Sequence, residues 1–236
     1  MRTTNGNRWA AVAAGVACVL VSGCSNQSSV RVDLNDRYPS TTATDWVTYA
    51  DFAAVVEVAG DKSSDPSAEE LERGEGEVSR SVNLRVVEVL WRGSDSKQPP
   101  AELDYAALGW QFRDGDLENL MPMVASDRPR LEVGGTYLMA FTWQPEVCYE
   151  GDGVIPAHWN SLGSGSVLPY ENKAVGVGEF AGEQRDEESA TEDAKELPSD
   201  ALSALAVGRD AQFVAAMLTI SRPGEAEDYG PTPSTC

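Results

Sequence analysis

The chain has few of the residues on which metal and nucleophilic chemistry depend. It contains one histidine and four cysteines among 236 residues. Cys18 and Cys24 both lie near the amino terminus, which leaves Cys148 and Cys236 for the rest of the protein. Because two cysteines and one histidine cannot make a typical structural zinc site, we expect no metal ion, and no motif indicates another cofactor.

Basic residues are also scarce. Lysine and arginine together number 18, against 38 aspartates and glutamates, and the formal net charge is −20. A surface of this sign repels phosphate groups, so nucleic acid and anionic lipid headgroups are disfavoured as partners. It would attract a cation or a basic partner, although such acidity also serves solubility alone.

The apolar stretch near the amino terminus is too short to span a bilayer. It runs from Trp9 to Val21 without a charge, follows Arg2 and Arg8, and is succeeded by a polar stretch from Ser25. A spanning helix needs about 20 apolar residues. A basic segment followed by a short apolar one is instead typical of a secretory signal peptide.

The run Val21-Ser22-Gly23-Cys24 closely resembles the lipobox of bacterial lipoproteins. This resemblance implies that the Cys24 thiol receives a diacylglyceryl group and that residues 1–23 are removed. Cys24 would then hold the protein through a palmitate-type lipid anchor on the extracytoplasmic face of the cell membrane. An ordinary secretory signal with an incidental cysteine is the alternative reading.

Cys148 and Cys236 are the two cysteines that remain besides the anchor. In an oxidising compartment such a pair is usually a disulfide, and this one would fasten the carboxyl terminus to the middle of the fold. Two free thiols, or an intermolecular bond, are the alternatives.

Composition divides the mature chain into three parts. Residues 24–44 are polar and lack a sustained period, so we interpret them as a lipidated tether. Residues 45–222 are long enough for one β-rich domain with a good core and a carboxyl-terminal helix. Residues 223–236 are rich in proline and acidic side chains and form a tail.

Alternation of apolar and polar residues predicts a mainly β domain. The clearest strand covers residues 82–91, and its apolar phase flips at Val87, as a β-bulge requires. Other strands are predicted at 52–59, 101–112 and 136–143, with weaker signals at 154–157, 166–168 and 174–180. A charged loop or short helix is predicted around 61–79, and loops are predicted around 121–130 and 183–196. The clear helix signals come near the carboxyl terminus, with start signals at Pro198 and Asp210.

Five or six strands ahead of a carboxyl-terminal helix favour a small closed barrel. The order resembles the OB-like barrels of netrin- and TIMP-type modules, with the likeness carried by residues 53–58, 84–93 and 134–138. The predicted fold class is therefore mainly β, a small OB-like closed barrel, and an immunoglobulin-like β-sandwich is the alternative. The multiple disulfides of animal netrin modules are missing, so protease inhibition is not carried over.

No catalytic motif rises above chance. A Ser-His-Asp arrangement would have to use His158, but the nearby serines lie in Leu162-Gly163-Ser164-Gly165-Ser166, which does not match G-x-S-x-G. The first hypothesis is therefore a non-enzymatic binding or interaction domain whose partner is an envelope protein or polymer. An envelope hydrolase that uses His158 or paired carboxylates is the second hypothesis.

Two tryptophans are candidates for a binding surface. Trp110 and Trp159 lie near the ends of predicted strands, where an indole can remain exposed and stack on a sugar ring. Carbohydrate binding through this pair is a third hypothesis, and burial of both indoles would exclude it.

We predict that mass spectrometry of the native protein will find Cys24 as an acylated amino-terminal residue. The reason is that the lipobox places acylation and cleavage at the same cysteine. Release from membranes by a salt wash, or residues upstream of Cys24 still attached, would contradict this expectation.

Overall fold

The computed structural model describes residues 29–149 and 153–229. Cys24 and Cys236 lie outside these ranges, so the lipid anchor and the disulfide remain predictions. Within the described ranges, no helix is both long and apolar enough to cross a membrane.

Strands dominate the described residues. They are β1 (Val30–Val32), β2 (Phe52–Ser64), β3 (Gly76–Arg92), β4 (Glu102–Phe112), β5 (Met121–Ala125), β6 (Thr136–Gln144), β7 (Val147–Tyr149), β8 (Gly153–Ile155), β9 (His158–Ser161), β10 (Val167–Pro169), β11 (Gly178–Phe180) and β12 (Glu183–Arg185). The helices are α1 (Ala43–Tyr49), α2 (Ala68–Arg73), α3 (Glu187–Ala194), α4 (Leu202–Ala206) and α5 (Ala211–Ile220), with short 3-10 turns at Ser164–Ser166 and Glu171–Lys173.

One large sheet organises the domain. Its strand order is β1-β5-β4-β3-β2-β6-β10, and β9 also pairs with β6. The β1–β5 pair is parallel, whereas the other neighbours in this sheet run antiparallel. The β7–β8 and β11–β12 pairs form two separate hairpins.

The two longest strands bend where their register shifts. Val55 lies opposite Glu88, but Val56 lies opposite Val86, so Val87 has no partner on β2. This confirms the bulge that the apolar phase predicted at Val87. Further shifts along the β2–β3 pair increase the twist, and the sheet coils around its own inner face.

The prediction of a closed OB-like barrel is wrong. Among the described strands, no backbone ladder joins the β1–β5–β4 end of the sheet to β9 and β10. The terminal strands are too short to close it, since β5 pairs with only Trp110 and Gln111 of β4. On the other side, the 3-10 turn Ser164–Ser166 separates β9 from β10. The open, coiled, mainly β architecture is consistent with the β-sandwich alternative.

The sheet buries apolar side chains on both faces. The inner face holds one core cluster, which includes Phe52, Leu84 and Phe141. The outer face packs against α1, α4 and α5 in a second cluster around Trp46 and Val214. Because β2 and β6 contribute alternate residues to the two clusters, both read as continuous apolar runs in the sequence.

Helices α1 and α3 were not predicted from the sequence, and α2 lies in the segment predicted as a charged loop or short helix. Each begins with a side chain that accepts a hydrogen bond from a backbone N–H group three residues later. Thr42 and Asp45 form a capping box at α1, and Ser67 and Glu70 form another at α2. Asp186 caps α3, which lies within the acidic stretch predicted as a loop.

The segment before α1 is fastened to the domain by one carboxylate, Asp36. Its Oδ2 accepts hydrogen bonds from the backbone N–H and the hydroxyl of Ser164 and from the hydroxyl of Ser40. Its Oδ1 accepts a 2.9 Å hydrogen bond from Nη2 of Arg128. We call these four residues the Asp36 clamp. Packing thus begins at β1, inside the 24–44 range that was predicted as a tether.

We predict that D36A lowers the free energy of unfolding by about 1–2 kcal/mol, because four donors lose a charged acceptor whose contacts are partly screened by solvent. Urea unfolding of the mature protein checks this value. D33A, which removes an exposed carboxylate three residues earlier, is the matched control and is expected to unfold like the wild type. Equal destabilisation by both variants would contradict the role of the Asp36 clamp.

Candidate functional site

The structure separates the two tryptophans proposed as a binding surface. Trp159 is buried, 9% exposed, and its ring packs edge-on against Phe52 with centroids 5.0 Å apart. Trp110 is partly buried, and the guanidinium carbons of Arg80 and Arg130 lie 5.4 and 5.1 Å from its ring centroid. The two indoles therefore pack against different residues. These contacts give no evidence of one surface on which both rings could stack against the same sugar.

His158 lies on the surface at the start of β9. The Nδ1 atom of its ring is 2.8 Å from the carbonyl oxygen of Pro156. Within the described ranges, no serine hydroxyl or carboxylate hydrogen-bonds to this ring. The geometry therefore gives no support to a histidine-activated nucleophile.

Cys148 lies in β7, opposite Val154 of β8. Its predicted partner, Cys236, is outside the described residues, as is the lipidation site Cys24. Lipidation of Cys24 and the disulfide between Cys148 and Cys236 therefore stay predictions from the sequence.

One cavity of the described part of the chain has a volume of about 380 Å³. It lies between β10, the β11–β12 hairpin and helices α3 and α4. Its apolar lining includes Val167, Leu168, Val175, Phe180, Ala194 and Val207. Packed interiors rarely leave gaps larger than a water molecule, and small-molecule sites start at about 300 Å³. We call this feature the apolar cavity, and it is the candidate binding site.

A few polar groups border the apolar cavity. Nε of Arg185 on β12 lies 3.1 Å from a carboxylate oxygen of Asp193 on α3, and both residues contribute to the lining. The Arg185 guanidinium also lies 3.9 Å from the ring centroid of Phe180. Asp127 and Ser164 line the cavity elsewhere. An apolar volume bordered by a few polar groups is typical of a site for an amphipathic small molecule.

The β11–β12 hairpin is the wall of the apolar cavity that the sequence specifies least clearly. Its turn is Ala181-Gly182, with φ values of +54° and +88°, as a two-residue hairpin turn requires. Alanine is unusual at such a position, because a Cβ atom disfavours positive φ.

Glu179 holds this hairpin to the rest of the domain. Its carboxylate accepts hydrogen bonds from the backbone N–H groups of Arg130 and Gly182. Burial raises the pKa of Glu179 to about 7, and these hydrogen bonds oppose that shift only in part. The group that fixes the cavity wall therefore titrates near neutral pH.

Metal chemistry has no candidate site in the ranges that the structure describes. No group of three or more histidine, cysteine, aspartate or glutamate side chains there is arranged to hold an ion. The contacts available in the apolar cavity are hydrophobic surface, the Arg185–Asp193 ion pair, the Asp127 carboxylate and hydroxyl groups.

Comparisons with known proteins found no counterpart. No family model, no curated protein and no solved structure matches the chain.

The apolar cavity could not be found from the sequence. Most of its lining comes from residues 164–207, in which 174–180 gave a weak strand signal and 183–196 was predicted to be a solvated loop, and the rest comes from Thr41, Ser126 and Asp127. The apolar residues Val167, Phe180 and Val207 are far apart in the chain and follow no shared period. One local signal was present: Asp186 lies three residues before Ser189, the spacing of a helix cap, and it indicates the start of α3, which forms part of the cavity wall.

We predict that Glu179 makes the protein less stable as the pH rises from 4.5 to 7. The raised pKa means that the folded state holds a proton which the unfolded chain, with an ordinary value of 4.5, has released. This stabilisation is complete below pH 4.5 and is lost by about pH 7. The glutamine of E179Q cannot titrate, so this variant lacks the pH-dependent loss of stability. The Tm of the wild type minus the Tm of E179Q should therefore become more negative between pH 4.5 and pH 7.

E183Q, an exposed position on the same hairpin, is the matched control. Its Tm difference from the wild type is expected to stay constant over the same pH range. A constant difference for E179Q as well would show that Glu179 titrates alike in the folded and unfolded chains.

Proposed function

We propose that this protein is a lipid-anchored, extracytoplasmic, non-enzymatic domain that binds an apolar or amphipathic small molecule in the apolar cavity. The observation that carries the proposal is the cavity itself, because its volume and lining suit such a ligand. The apolar side chains that line the cavity can bury a ligand but carry no acidic, basic or nucleophilic group. This lining favours binding over an enzymatic role.

The short chain between the predicted anchor and the fold supports this function. β1 starts at Val30, six residues after Cys24, and six residues span at most about 20 Å when extended. A lipid at Cys24 would therefore hold the domain close to the bilayer. Apolar molecules concentrate in membranes, so a domain kept there meets them at high local concentration.

Burial of a hydrocarbon chain sets the affinity that the cavity can reach. Each methylene removed from water contributes about 0.8 kcal/mol, which is roughly a fourfold change in Kd. We therefore expect Kd for n-alkanols to fall about fourfold per added carbon, from six carbons upward, until the cavity is full. Isothermal titration calorimetry of the mature protein measures this series, and a Kd that does not depend on chain length would contradict the proposal.

A substitution that fills the cavity tests the site directly. Ala194 on α3 contributes to the lining, and A194W would place an indole in the volume proposed for the ligand. We expect A194W to weaken decanol binding at least tenfold while its Tm stays near that of the wild type.

A216W is the matched control, since Ala216 is an exposed residue of α5 that does not line the cavity. It is expected to bind decanol like the wild type. Unchanged binding by both variants would place the ligand elsewhere and overturn the assignment of the apolar cavity.

A further inference from the structure

A second concave site lies on the other side of the Asp36 clamp. It is a groove with two lobes of about 240 and 280 Å³, which share Leu34, Arg128 and Asn160 as lining residues. Ser164 of the Asp36 clamp lines the apolar cavity, whereas Asp36 and Arg128 line this groove. The Asp36 clamp thus lies between the two sites. We call the second site the Arg128 groove.

The charge of the Arg128 groove is opposite to that of the protein. Arg37, Arg128 and Arg130 contribute to its lining, and the only carboxylate among the described lining residues is that of Asp36. Across the whole chain, acidic residues outnumber basic ones by 38 to 18. A concentration of guanidinium groups in so acidic a protein indicates a site for an anion.

Arg128 has donors to spare. Its side chain is 14% exposed, and Nη2 donates to Asp36. Its Nε is buried and makes no hydrogen bond to any described residue, and Oδ1 of Asp127 lies 3.8 Å from it. An unsatisfied buried donor is costly, and a planar guanidinium matches the two oxygens of a carboxylate.

The other two arginines each line only one lobe, Arg37 the smaller and Arg130 the larger, whereas Arg128 lines both. Nη1 of Arg130 donates to three backbone carbonyls, and its Nε lies 2.7 Å from Glu132. Nε of Arg37 donates to the carbonyl oxygen of Tyr229. Arg128 is therefore the group in the Arg128 groove that is best placed to bind a ligand.

The rest of the lining defines the other half of the ligand. Oδ1 of Asn160 accepts a hydrogen bond from the N–H of Ser161, which leaves its amide nitrogen as a donor beside Arg128. The larger lobe is lined mainly by apolar side chains, among them Leu34, Leu108 and Leu131. The lining therefore offers hydrogen-bond donors at one end and hydrophobic surface at the other.

We propose that the Arg128 groove binds a small monocarboxylate with an apolar body. The carboxylate lies on the Arg128 guanidinium and the Asn160 amide, and the body fills the larger lobe. A single negative charge suits a groove in which one guanidinium, that of Arg128, borders both lobes. Because Asp36 occupies the same guanidinium, it competes with the ligand, so weakening that carboxylate strengthens binding. Val167 is the one lining residue that this site shares with the apolar cavity.

The test compares 3-phenylpropionate with its neutral analogue 3-phenylpropan-1-ol by NMR titration of the mature protein. We expect the acid to bind at least tenfold more tightly than the alcohol. R128Q removes that preference. D36N keeps a side-chain oxygen that can accept the hydrogen bonds from Ser40 and Ser164 but loses the charge that competes for Arg128, so it increases affinity for the acid a few-fold. A194W, which blocks the apolar cavity, leaves binding of the acid unchanged.

A surface variant keeps the test valid if R128Q weakens the fold. Leu34 lines both lobes and is 38% exposed, so L34E adds a negative charge at the groove with little effect on packing. It is expected to lower affinity for the acid at least tenfold. L117E, on the loop before β5, is the matched control with a comparable exposed leucine, and it binds the acid like the wild type.

Two results would overturn the proposal. One is equal affinity of the wild type for the acid and the alcohol, which would show that no cationic group contacts the carboxylate. The other is loss of acid binding in A194W but not in L34E, which would place the probe in the apolar cavity.

Discussion

The carboxylate of Asp36 is the contact on which the arrangement of both candidate sites depends. It gathers the segment before α1, the 3-10 turn after β9 and the Arg128 side chain around one negative charge. The turn must approach closely for this, and a Cβ atom on Gly163 would lie 2.7 Å from Oδ2 of Asp36. Charge-assisted hydrogen bonds from several donors make such a contact stronger than its separate parts.

The open edge of the coiled sheet explains why there is room for two sites. A closed barrel would have filled its interior with side chains and covered its edges. Here Tyr105 of β4 and Ser161 of β9 share a buried 2.9 Å hydrogen bond across the gap, in place of a backbone ladder. The Arg128 groove follows that gap, and the apolar cavity lies on the other side of the Asp36 clamp, beneath α3 and α4.

Sequence patterns predicted the strands better than their closure. Strands β2, β3, β4 and β6, the bulge at Val87 and the cap at Asp210 follow from local chemistry, and the structure confirms them. Barrel closure depends on which distant edges meet, and no local period encodes that.

β5 was missed because a proline within a run argues against a strand. Pro122 is the second residue of β5, where the pairing with β4 is only two residues long, and proline is tolerated at such a position. Trp110 and Trp159 were chosen for predicted exposure, but packing against Arg80 and Phe52 decides their environment.

Binding of a ligand in the apolar cavity, in a domain kept close to the membrane, can be observed in a crystal structure of the mature protein grown with a bromine-tagged alkanol. Anomalous scattering locates the bromine atom without ambiguity. We expect a bromine peak in contact with Phe180 and Val207, between β10 and α3. A bromine peak only outside this volume, or an ordered cavity that contains solvent alone, would contradict binding in the apolar cavity.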